Sequence, residues 1–220
     1  MELDLDGVTP LSEEERIARW LREQEQETPE VLAAILILRD VRSRAERTQR
    51  WAEIRSIQAP FHREHGWLIP GGAEVSWLYD EAERAFIDGL FLATLLCAHA
   101  ACERALAGCL LRYEEELDRN WLRWGLGPLT KAAFERGLID EQMKQDLQQV
   151  TELRKVSAHY KFPLEPNSVS RRAYEEFAET STSSDEDALD AVLRRDALTS
   201  FRVATELLRG DQGFARLRYV

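Results

Sequence analysis

Cysteine is scarce in this chain, with Cys97, Cys102 and Cys109 the only three. All lie in one apolar run, at spacings of five and seven that cannot close a disulfide on a single helix. A disulfide-stapled scaffold is therefore excluded, and the expected role is that of small buried hydrophobes in a reduced, cytoplasmic protein. The N-terminal stretch MELDLDGVTP points the same way, being acidic and without the apolar region of a signal peptide. Histidine is almost as rare, at His62, His65, His99 and His159. The first two form His-x-x-His in FHREHG, but in a segment broken by prolines and glycines and with no further ligands at zinc-site spacing. Neither a metal nor a cofactor is expected. Glycine-rich phosphate loops, the dinucleotide fingerprint and the nucleophile elbow are absent, and the enzyme classes built on them find no support.

Positive charge is also in deficit. Lysine and arginine total 29 against 40 acidic residues, a net charge of −11. No global basic field draws the chain to nucleic acid or to anionic lipid, so any such contact needs a local patch. A long hydrophobic run is missing too. The most apolar stretch, GLFLATLLCAHAAC from Gly89 to Cys102, has 14 residues. As a helix it spans about 21 Å, short of a hydrocarbon layer of roughly 30 Å, with Asp88, His99 and Glu103 crowding it. It reads as a core helix, with no membrane partner.

What is present is helical periodicity, without convincing strand alternation or internal repeats. Ser12 and Glu15 make a capping box, opening an amphipathic helix with Ile17, Trp20 and Leu21. Thr28-Pro29 opens a second helix running to about Gln58. Its first half is apolar (VLAAILIL) and its second carries Arg39, Arg42, Arg44, Arg47, Arg50 and Arg55. Those arginines read as a solvated face, partly paired to nearby carboxylates, that could also flank a nucleic-acid groove. Pro60–Gly72 is a break. A long helix is predicted from about Glu74 or Tyr79 to Asp118, with Gly89 and Gly108 as candidate kinks. WGLGP (Trp124–Pro128) reads as a loop, Leu129 to Arg136 as a short helix, and GLID as a turn whose Asp140 caps the next helix. Residues 162–187 read as a mostly exposed loop with one turn near Ala173 to Phe177. The last helix runs from about Ala188 to Arg209, its apolar face carrying Leu189, Val192, Ala197, Phe201, Ala204 and Leu208. The fold class is all-α, with an N-terminal helical extension over 1–72 and a helical bundle over 73–220.

The anomaly sits in TELRKVSAHYK, Thr151 to Lys161. At about 100° per residue, Arg154 falls roughly 20° from Leu147, inside the apolar stripe of its helix, and His159 about 140° from Arg154. Basic residues near a helix C-terminus suit the macrodipole, which accounts for Lys155 and Lys161 but not for Arg154. On the preceding apolar helix, Asp88, His99 and Glu103 share a polar stripe, which satisfies polar groups of neighbouring helices or lets Glu103 orient Arg154. From Thr151 to Arg172, the basic residues Arg154, Lys155, Lys161, Arg171 and Arg172 outnumber Glu152 and Glu165, a local site suited to phosphate.

Arg154-x4-His159 at the end of a helix that follows ACERALAGCLL and GLGPLTKAAFERGLIDEQMKQDLQQV resembles the signature of the HEPN superfamily. The resemblance covers about Tyr79 to Arg209. It implies a small helical bundle, commonly dimeric with two motifs facing each other, and in active members a metal-independent endoribonuclease, often of toxin–antitoxin or antiviral systems. By position, His159 would act as general acid/base and Arg154 would stabilise the phosphate as charge builds on it. Tyr160 and Glu103 would support them, and Lys155, Lys161, Arg171 and Arg172 would bind RNA. The 140° separation converges poorly on one phosphate within a single chain, whereas a two-fold axis supplies a second pair. An antitoxin or defence-system protein is a further implied partner. Lys155 stands where active members usually carry Asn, Asp or His, and Lys161 where some toxins have tyrosine. The alternative is a catalytically silent helical adaptor binding a protein, nucleotide or RNA.

Overall fold

A computed structural model describes residues 11–24, 26, 28–61, 70–158, 165–180 and 185–209. It contains eight α-helices among these residues and no strand. The chain divides into two compact units, Met1–Arg50 and Trp51–Val220.

The first unit holds α1 (Glu13–Arg22) and the N-terminal part of α2 (Pro29–Gln58). The capping box forms: the Glu15 amide donates to Ser12 Oγ at 3.2 Å, and Glu15 Oε2 accepts from the Ser12 amide at 2.8 Å. Thr28 Oγ1 accepts from the Val31 amide at the start of α2. Arg42 reaches back to Glu14 at 2.9 Å, tying the two helices, and Arg47 and Arg44 share Asp40.

The second unit begins earlier in the chain than the expected boundary at Gly72. The last two turns of α2 carry Ile54, fully buried, and Gln58 into its core. The predicted long helix is two helices, α3 (Ala73–Ile87) and α4 (Phe91–Leu110). Gly89 (φ +80°) ends α3 rather than kinking it. The Gly89 amide donates to the Phe86 carbonyl and the Leu90 amide to that of Ala85, the paired bonds of a Schellman motif. Gly108 does not bend α4. It lets the helix approach the Pro70-Gly71 backbone so closely that an added Cβ would lie 2.2 Å from the Gly71 nitrogen.

α4 is the hub, packed by α3, α5 (Leu126–Glu135), α6 (Glu141–Ala158) and α8 (Asp185–Arg209). Phe91–Glu116 has the length and apolarity of a membrane-crossing segment, with mean hydropathy 1.3. Yet Leu95, Ala98, Ala101, Cys102, Ala105 and Leu106 are all fully buried, so the bundle itself absorbs that apolarity. All three cysteines are free, and burial pushes the Cys102 thiol up to about 12.

Three loops or boundaries differ from expectation. α5 starts inside WGLGP, because Pro128 sits in its first turn, where a missing N–H costs nothing. It ends in a second Schellman motif at Gly137 (φ +66°). Asp140 then caps α6 by accepting from the Met143 amide at 2.8 Å, as expected. The expected loop contains a three-turn helix, α7 (Val169–Thr180), capped by Ser168 Oγ on the Arg171 amide. Its Ala173 packs with Val169 and Phe177 against Ala188 and Val192 of α8. α8 also begins three residues before Ala188, and Leu189 is exposed rather than on its buried face. Part of the expected exposed loop, Ser181–Ser184, lies outside the described residues.

A buried polar knot fastens α8 across the bundle. Tyr79 Oη lies 2.9 Å from Thr205 Oγ1 and accepts from Gln58 Nε2 at 3.2 Å, while the Tyr79 ring stacks on Phe201. Each buried polar group of the knot thereby finds a partner.

Candidate functional site

The site is built where α4, α5 and α6 meet. Met143, Leu147 and Val150 bury one face of α6, which explains the register of Arg154 one turn further on. Arg154 is half-buried there, while Ala158 is exposed at the helix end. Ser157, also half-buried, turns its hydroxyl inward without a hydrogen-bond partner.

On α4, His99 and Glu103 stand one turn apart and both are half-buried. Asp88 does not join them: it caps α3 before the break at Gly89 and is exposed. The polar stripe therefore has two members, not three. Glu103 Oε2 accepts from the Leu126 amide at 3.0 Å, at the first residue of α5. The N-cap of α5 is Gly125, which has no side chain to do this. A carboxylate from another helix thus occupies the positive end of the α5 dipole. The partner that the structure gives Glu103 is this amide.

His99 faces Arg154. Burial, and then the charge of Arg154, lower the imidazole from 6.5 to about 4, so His99 is neutral at pH 7. This neighbour was not legible in the sequence, where His99 reads as one of a polar stripe with Asp88 and Glu103 and only Glu103 is set toward Arg154. The crossing of α4 over α6 brings the two together, and no local spacing encodes that crossing.

The remaining basic residues separate. Lys155 is exposed and 3.6 Å from Glu152, and Arg171 is half-buried and 2.6 Å from Glu175. Arg172 makes a two-pronged bond to Asp196 at 2.8 and 2.6 Å, with Asp196 buried. The work of Arg172 in this structure is to tie α7 to α8. His159, Tyr160 and Lys161 lie outside the described residues, as do His62 and His65. Among the described residues no three His, Cys, Asp or Glu side chains gather as metal ligands would.

The fold and site define an all-α bundle with a half-buried arginine near the end of α6, within electrostatic reach of a neutral histidine on α4. Comparison with protein-family models, with curated proteins and with solved structures finds no match.

Proposed function

We propose that the chain is a metal-independent endoribonuclease of HEPN type, acting as a homodimer whose two Arg154/His159 pairs form a composite site on the two-fold axis. The observation that carries this reading is Arg154 itself, half-buried at the end of α6 beside a histidine that stays uncharged at neutral pH. A guanidinium in that setting is a preorganised charge for a phosphate, stronger than the same group in water. In the proposed reaction His159 takes the proton of a ribose 2′-OH. The 2′-oxygen attacks the adjacent phosphorus, the 5′-oxygen leaves with a proton, and a 2′,3′-cyclic phosphate results. Arg154 stabilises the five-coordinate phosphate. Lys155, exposed, and Arg171, half-buried, are the proposed backbone contacts, and Arg172 is left out because Asp196 holds it. A toxin–antitoxin or antiviral setting, with an antitoxin or defence protein as partner, belongs to the same proposal.

The second reading is a silent helical adaptor, favoured by Lys155 directly after the arginine. Cleavage of an end-labelled RNA pool separates the two. The wild type should cut with or without EDTA, His159→Ala should fold and be inactive, and Arg154→Ala should be inactive and melt lower. Activity surviving in His159→Ala, or lost in EDTA, removes the mechanism. No cleavage by a folded wild type selects the adaptor.

A further inference from the structure

The first unit is a helical hairpin with almost no core of its own. Among its described residues only Val31 and Leu38 are buried hydrophobics. Leu32, Ile35, Leu36 and Ile37 are 49, 44, 65 and 49% exposed. Two short helices of this size do not bury enough apolar surface to hold together alone, and completion by oligomerisation is one of the few remedies open to such small units.

Three of these four exposed residues share one face. With Ile35 at zero on the helical wheel, Leu32, Leu36, Arg39 and Ser43 fall within about 100° on one side. They form a single stripe that borders Val31 and Leu38, while Ile37 lies outside it, about 100° beyond Leu36. Along that stripe, Ile35, Leu38, Arg39, Arg42, Ser43 and Glu46 line an open groove of about 330 Å³. A protruding leucine next to a groove on the same helix is self-complementary under a two-fold rotation. An axis near Ile35 and Leu36 sets the partner's Leu32 opposite Arg39, at the groove.

Charge chooses the direction. From Glu13 to Glu30 there are seven glutamates against three arginines; from Arg39 to Arg55 there are six arginines against three acidic residues. α1 is itself charge-balanced and its Glu14 is tied to Arg42 of the same chain, so the acidic excess lies around the start of α2, at Glu23 and Glu30. Antiparallel pairing about that axis sets Glu30 of each copy opposite Val41 and Arg42 of the other, whereas parallel pairing opposes the arginines to one another.

We propose that the exposed face of α2 at Leu32, Ile35 and Leu36 is a homodimer interface, joining the hairpins of two copies antiparallel about a two-fold axis. This contact does not depend on the nuclease reading, since it involves none of the residues of that site. The test is sedimentation of the full chain at micromolar concentration, with Leu36→Glu, Arg39→Glu and, as a control beside His99, Leu96→Glu. The wild type should be a dimer. Leu36→Glu should weaken it roughly a hundredfold or more, because the two-fold repeats the change in both copies. Arg39→Glu should weaken it less, and high salt should weaken the wild type. Circular dichroism should show unchanged helix content, as both side chains are exposed. A monomeric wild type overturns the proposal. So does a dimer as tight in Leu36→Glu and Arg39→Glu as in the wild type, including one that only Leu96→Glu splits.

Discussion

A half-buried imidazole beside a guanidinium resists protonation, and His99 shows what that does to stability. Its folded-state pKa is about 4 against an ordinary 6.5. Between those values the unfolded chain binds a proton that the folded chain refuses, so stability rises with pH across this window. The contribution is complete above about pH 6.5 and is lost progressively as pH falls toward 4. His99→Gln should therefore flatten the pH dependence of the melting temperature between those limits relative to the wild type. Identical pH profiles for the two proteins would show that Arg154 and burial exert no such hold on His99. At this scale the sequence was informative about Arg154, whose misfit within an apolar stripe is visible on a helical wheel. It placed His99 in a polar stripe but was silent about its relation to Arg154, which lies 55 positions along the chain.

At the scale of helices, local signals were legible and tertiary ones were not. The capping box at Ser12, the cap at Asp140 and the opening of α2 at Thr28-Pro29 depend on neighbours within four residues. α7 was missed because its polar sequence carries only Val169, Ala173 and Phe177 for packing, enough to bury against α8 but weak as a pattern. Gly89 and Gly108 looked alike as candidate kinks. One supplies a positive φ that ends a helix; the other supplies the absence of a side chain where two backbones meet. Alanine at position 108 should thus lower stability by about 2 kcal/mol or more, because neither backbone can move aside cheaply. Alanine at Gly127, in the first turn of α5, meets nothing within 4 Å and should be neutral or stabilising. Thermal melts of the two variants check this, and equal losses would mean that the Gly71–Gly108 approach is not tight.

Across the whole molecule, α4 organises the second unit, touching α3, α5, α6 and α8, and so carries both the core and two residues of the candidate site. Its outer face leaves Leu92 and Leu96 exposed near His99, while its inner face is closed. The Glu103 contact gives this arrangement a temporal meaning. α5 cannot finish its own first turn, since the residue before it is glycine and the acceptor for the Leu126 amide arrives from 23 positions earlier. That amide should exchange its hydrogen slowly only while α4 and α5 are docked. In Glu103→Ala, exchange at Leu126 should quicken while the amides in the middle of α5 keep their protection. Leu126 is then a built-in reporter of when one helix meets another, readable by hydrogen exchange during refolding, and an unchanged rate in Glu103→Ala would show that solvent shielding, not the carboxylate, guards the amide.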